Sequence, residues 1–205
     1  MQKMGRSIIS VAVFTAIIIF GGAPASAEAL GGYISEIKGG VFDHDALRDQ
    51  QSKQKEMNSV DINGEVLFTP IKFSSSETPV LNSIYQPRVH VGFTGNTAGY
   101  TSAGYAGLTW DFNLGSNIFF ALNFGLTGHN GQLKVQKDAT GVIVNTHRPA
   151  LGSVILFREG GDIGYHFGGG HSASVFFGHM SNAGLFAKEN AGMNFLGLRY
   201  GYRFD

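Results

Sequence analysis

Between residues 60 and 68 the chain alternates with a period of two. Val60, Ile62, Gly64, Val66 and Phe68 form one face, and Asp61, Asn63, Glu65 and Leu67 lie between them. The rule recurs at 104–112, where Gly104, Ala106, Leu108, Trp110 and Phe112 alternate with Tyr105, Gly107, Thr109 and Asp111. It recurs again at 118–127, with Ile118, Phe120, Leu122, Phe124 and Leu126 set against Phe119, Ala121, Asn123, Gly125 and Thr127. A two-residue period places side chains alternately on the two faces of a strand. Segments of about ten residues, apolar on one side and polar or small on the other, are the pattern of a transmembrane β-barrel.

Eight such segments can be counted, near 33–43, 59–69, 86–94, 103–113, 118–128, 151–167, 171–181 and 193–204. The predicted fold is all-β, an eight-stranded antiparallel transmembrane barrel of the outer-membrane type. An even count returns both ends of the barrel to the periplasmic side. Residues 114–117 and 168–170 then become short periplasmic turns, and 44–58, 129–150 and 182–192 become the longer extracellular loops. Segment 70–85 is too long for a tidy turn and has no place in this scheme.

The amino terminus agrees with a membrane address. Lys3 and Arg6 precede the apolar run from Ile8 to Phe20, and Ala25-Ser26-Ala27 supplies a small-x-small cleavage site. This three-part pattern predicts a signal peptide over 1–27 and a mature barrel over 28–205 in the outer membrane of a Gram-negative cell. Beyond Ala27 no run approaches the ~20 apolar residues of a spanning helix, so insertion falls to strands. Glycine is abundant at 30 residues and charged residues make up only 15%, which suits strands joined by tight turns. Lysine plus arginine equals aspartate plus glutamate at 15 each, leaving no basic footprint for nucleic acid. Cysteine is absent, so closure of the barrel rather than disulfides must supply stability.

An eight-stranded barrel is filled by its own side chains and is not a pore. The alternation assigns Asp61, Glu65, Arg88, His90, Asp111, Arg199 and Arg203 to the interior, where opposite charges can pair. A secreted lipocalin-like barrel would invert this arrangement, with apolar side chains inside and polar ones in water. The closing segment argues for the membrane: Leu196, Leu198, Tyr200, Tyr202 and Phe204 share one face and gather aromatics at its end, as an interfacial girdle does.

On this parity His179 and Ser181 project from the lipid-facing side, continuing the apolar row Ala173, Val175 and Phe177. A base and a nucleophile on that wall, near the rim, point to chemistry on a lipid. Arg158 and Glu159 take opposite faces under strict alternation, although a bulge at Gly160-Gly161 would shift the phase.

These residues carry a resemblance. His179-Met180-Ser181-Asn182-Ala183-Gly184, then Asn190-Ala191-Gly192, then a closing strand ending Tyr202-Arg203-Phe204 resemble the lipid A 3-O-deacylase (PagL-like) family of outer-membrane serine esterases. The resemblance implies His179 as general base and Ser181 as nucleophile. It implies Asn182 and the Gly184 amide as oxyanion donors, Asn190 as support, and lipid A or lipopolysaccharide as substrate. It implies release of the 3-hydroxyacyl chain at position 3, with no metal or other cofactor. Family members carry a glutamate four residues after the second asparagine; here that position is Asn194. An asparagine oxygen can accept the imidazole Nδ1–H and fix the tautomer, but it brings no negative charge. Glu189 and Glu159 are weaker candidates for the acid.

Two other readings compete. A non-catalytic barrel would act through its loops, notably 43–58 and 129–148. An outer-membrane phospholipase would typically require calcium and a dimer. His44, His129, His147, His166 and His171 lack ligand-like clustering and read as structural.

Overall fold

A computed structural model describes residues 32–48, 55–56, 58–144 and 147–204. The leader and its cleavage site, 1–27, lie outside the described residues. The described chain forms β1 (Ile34–His44), β2 (Val60–Phe68), α1 (Pro79–Tyr85), β3 (Arg88–Asn96), β4 (Ala103–Asn113), β5 (Ile118–His129), β6 (Ile155–Gly168), β7 (His171–Ser181) and β8 (Met193–Arg203). The strands pair in sequence order into a closed barrel. All neighbours are antiparallel, and β1 meets β8 from Glu36↔Arg203 to His44↔Phe195. Closure leaves no strand edge unpaired, which is what lets a sheet cross a bilayer.

Alternation decides what faces inward. In β7, Ser172, Ser174, Phe176, Gly178 and Met180 are buried, while His171, Val175 and Phe177 between them are exposed. All seven charged or histidine side chains assigned to the interior point there. Arg199 pairs with Glu65 at 3.3 Å and Asp162 at 3.2 Å, and Lys38 adds a contact of 3.6 Å to Asp162. Nearer the periplasmic end Arg88 bridges Glu36 and Asp111, and Arg203 also reaches Glu36. Guanidinium planes lie over aromatic rings between these pairs: Arg158 over Tyr105 at 3.8 Å and Arg199 over Phe176 at 3.7 Å. Toward the extracellular end Phe42, Leu151, Leu156, Phe176, Met180, Met193 and Phe195 form one apolar cluster, beside the buried polar set of His44, Glu56 and Asp61.

Three details differ from the sequence reading. Residues 151–154 are not strand; β6 begins at Ile155, and Leu151 is drawn into the apolar cluster as part of the preceding loop. No bulge occurs at Gly160-Gly161, and the register runs unbroken from Phe157 to His166 before shifting at Gly168. Gly160 faces inward, where a Cβ would lie 2.9 Å from the Phe176 ring; that glycine makes room for an aromatic and does not change the phase. Segment 70–85 contains α1, with Pro79 in its first turn. Trp110, outward-facing near the periplasmic end of β4, donates its indole N–H to the Ile84 carbonyl at 3.2 Å. The helix therefore docks on the outside of the barrel and exposes Val80, Leu81 and Ile84.

Candidate active site

β7 and β8 pair so that His179 stands directly opposite Asn194. Both sit on the outward parity of their strands and are half-buried, as is Ser181 one pleat further toward the extracellular rim. Met180 and Met193, the inward pair beside them, are fully buried and anchor this corner of the wall to the apolar cluster. His179 Nδ1 and Asn194 Oδ1 are 2.7 Å apart. With Nδ1–H donating to the amide oxygen, Nε2 keeps the lone pair that a general base needs. No hydrogen bond joins His179 to Ser181 among the described residues; such contacts commonly tighten only when substrate is bound. Ser181 Oγ instead accepts the Ala183 N–H at 3.4 Å.

The turn after Ser181 is held from inside by Asn182. Its side chain is fully buried, donating to the carbonyls of Leu151 at 3.0 Å and Glu189 at 2.6 Å. Its oxygen accepts the Gly184 N–H at 2.7 Å, and its backbone N–H donates to Asn190 Oδ1 at 2.9 Å. Both groups implied as oxyanion donors are thus engaged with each other or with the loop, and Asn190 holds the Asn182 backbone. Ala183 and Gly184 both take positive φ, 53° and 72°. That pair of left-handed residues turns the chain sharply beside the serine.

Two contributors were not legible from the motif, Arg48 and Ala46. Arg48, 143 and 144 residues away in sequence, donates through Nη2 to the carbonyls of Ala191 and Gly192, the second at 2.5 Å, and is itself held by Asp45. The Ala46 N–H donates to the Asn194 carbonyl at 3.0 Å. Gly192 has φ 62°, and a Cβ there would lie 2.7 Å from His179 Cε1. On the β6 side, Phe157 stands opposite Ser181 and stacks on Phe186 at 5.4 Å and Phe124 at 6.0 Å. This aromatic row lines the outer wall next to the serine. Nothing local could have announced Arg48, whereas the phases of Phe157 and Glu159 follow once Gly160-Gly161 is known not to bulge.

Glu159 points outward and stands opposite His179 on the flank away from Asn194. Glu189 contributes its backbone carbonyl to Asn182, described above. His44 lies inside the barrel between Asp61 and Glu56, His90 donates to or accepts from Thr109, and His129 contacts the Ser153 carbonyl. No group of three or more histidine, aspartate or glutamate side chains is arranged to hold a metal among the described residues.

A closed eight-stranded antiparallel barrel that carries a serine, an imidazole and an amide on its outward face defines an outer-membrane-type barrel. The chain belongs to the lipid A 3-O-deacylase (PagL) family, whose model matches residues 60–203. Among solved structures it is similar to the outer membrane enzyme PagL, at 18% identity over 82% of this chain and 99% of that one, with a TM-score of 0.56. A de novo designed transmembrane β-barrel follows at 10% identity, 82% and 94% coverage and a TM-score of 0.46. The Yersinia pestis outer membrane protein Ail matches at 10% identity, 83% and 99% coverage and 0.41. No curated protein matches the chain.

Proposed function

We propose that this member of the lipid A deacylase family is a serine esterase that removes the ester-linked 3-hydroxyacyl chain at position 3 of lipid A. In this reading the mature protein, freed of residues 1–27, works in the outer membrane. The observation that carries the proposal is the outward row of Ser181, His179 and Asn194 at the extracellular end of β7 and β8. Attack by Ser181 Oγ on the ester carbonyl passes its proton to His179 Nε2. The carbonyl π pair moves onto oxygen, which takes over the Ala183 N–H, the most weakly held donor of the 182–184 turn at 3.4 Å from Ser181 Oγ. Collapse breaks the bond to the sugar oxygen, which takes the proton from His179. Water then hydrolyses the acyl-enzyme by the same relay. The Phe124–Phe157–Phe186 row gives the acyl chain an apolar surface while its ester reaches the serine.

The test uses refolded protein in detergent micelles, mixed with lipid A and followed by mass spectrometry. Loss of one hydroxy fatty acid is expected, with Ser181→Ala slower by about 10³-fold or more, the scale on which triad nucleophiles act. Lipid A left intact by the wild type would end the proposal, and loss of a different chain would correct the position.

A further inference from the structure

Across the outer wall the residues read Phe124, Glu159, His179 and Asn194, each directly opposite the next on strands β5 to β8. Side chains so placed on antiparallel strands have Cβ atoms about 4.5–5.5 Å apart, close enough for a carboxylate to act on an imidazole. The Glu159 side chain is exposed and makes no hydrogen bond or ion pair among the described residues. Its outward neighbours along β6 are Phe157 and Gly161, and Phe124 lies beside it on β5. A carboxylate on such a surface is costly unless a cation forms next to it. Apart from Asp43 at the outer end of β1, Glu159 is the charged side chain on the outward face of the described strands. The group opposite it that can become cationic is His179.

We propose that the acid of the catalytic set is divided between two strands. Asn194 accepts the Nδ1–H from β8 and fixes the tautomer. Glu159, from β6, supplies the negative charge that stabilises the imidazolium. The inference rests on the serine esterase reading above. The proton moves only from Ser181 to His179 and on to the leaving oxygen. It acts through His179 and touches no substrate, so it is a positioning residue in the electrostatic sense. The division explains how a chain with asparagine at the β8 position can keep both roles of an acid, hydrogen-bond acceptor and counter-charge.

The experiment measures two rates in micelles: lipid A deacylation, and labelling of Ser181 by a fluorophosphonate, read by intact mass. Labelling needs an activated serine and does not depend on the lipid being the right one. Glu159→Gln is expected to slow both by about tenfold to 10²-fold, within the range for loss of support to a general base. Glu159→Asp should retain most of the rate. In the double variant Glu159→Gln/Asn194→Glu, a carboxylate returns on the other flank of His179, and the labelling rate should recover to near the wild-type value. Wild-type rates in Glu159→Gln would overturn the inference, as would a slow Glu159→Gln that Asn194→Glu does not rescue. If the wild type labels at Ser181 but leaves lipid A intact, the substrate assignment fails while the labelling rates still judge Glu159. A wild type that neither labels nor deacylates removes both readings.

Discussion

At the scale of single residues the site depends on a glycine that does no chemistry. Gly192 takes a left-handed conformation that other residues adopt only with strain. Its missing side chain also leaves space for the His179 ring, since a Cβ would approach Cε1 to 2.7 Å and the Met180 carbonyl to 3.3 Å. Gly192→Ala should therefore displace the imidazole or the chain leading into Asn194. A shift of about 1 Å in a catalytic group can cost about 10²-fold. The expected result is deacylation reduced on that order in a barrel whose β-sheet circular dichroism in micelles matches that of the wild type. Undiminished activity would show that the ring does not need the position it holds here.

At the scale of elements, the described residues 45–48 and 55–56 of the β1–β2 loop are clasped to the barrel mouth and reach the site. Glu56 is fully buried; it meets His44, and accepts from the Thr101 N–H at 2.9 Å and hydroxyl at 2.8 Å. Burial pushes the Glu56 carboxyl up, but the His44 and Thr101 hydrogen bonds outweigh it and hold the group below its ordinary 4.5. A carboxyl lowered in the folded state contributes stability above its unfolded value, lost as pH falls toward the folded one. The clasp should thus loosen below about pH 4.5, and Arg48 in the same loop would release the Ala191 and Gly192 carbonyls. Asp45, raised by burial despite its pair with Arg48, shifts the opposite way and offsets part of the loss. Hydrogen-exchange protection in residues 44–48 and 58–59, corrected for the intrinsic pH dependence of amide exchange and measured from pH 7 to 4, should fall at the acid end, and Glu56→Gln should flatten that dependence. An identical profile in the variant would assign the change to another group. Elements like this clasp were not legible in the sequence, because they depend on residues far apart meeting at the mouth. The strands were legible, because alternation is local and each face meets a uniform medium, hydrocarbon or packed interior. The row of His179, Ser181 and Asn194 could be read for the same reason. Helix α1 could not, since seven residues held to Trp110 by one hydrogen bond leave neither a long helical period nor a strand one.

For the whole molecule, the barrel wall separates what holds the fold from what does the chemistry. Charges of both signs fill the interior, centred on Arg199 between Glu65 and Asp162, while the proposed catalytic groups stand on the other face of the same strands. Removing one partner of a buried pair leaves an uncompensated charge and costs about 3–5 kcal/mol. Arg199→Met keeps much of the volume over Phe176 but, among the described residues, leaves Glu65 with the Tyr105 hydroxyl as its hydrogen-bond donor, and Asp162 with Lys38 and Ser174. Its unfolding midpoint in urea, followed by gel mobility from micelles, should fall accordingly. Arg199 lies on β8 opposite Ser174, well below the Asn194–His179 pair, and faces inward. Under conditions where the variant remains folded, its rate of lipid A deacylation should therefore match the wild type within about twofold, as for sites that share no partners. A folded Arg199→Met barrel with greatly reduced activity would mean that interior charges reach through the wall to the outward row. The separation of scaffold from chemistry would then be wrong.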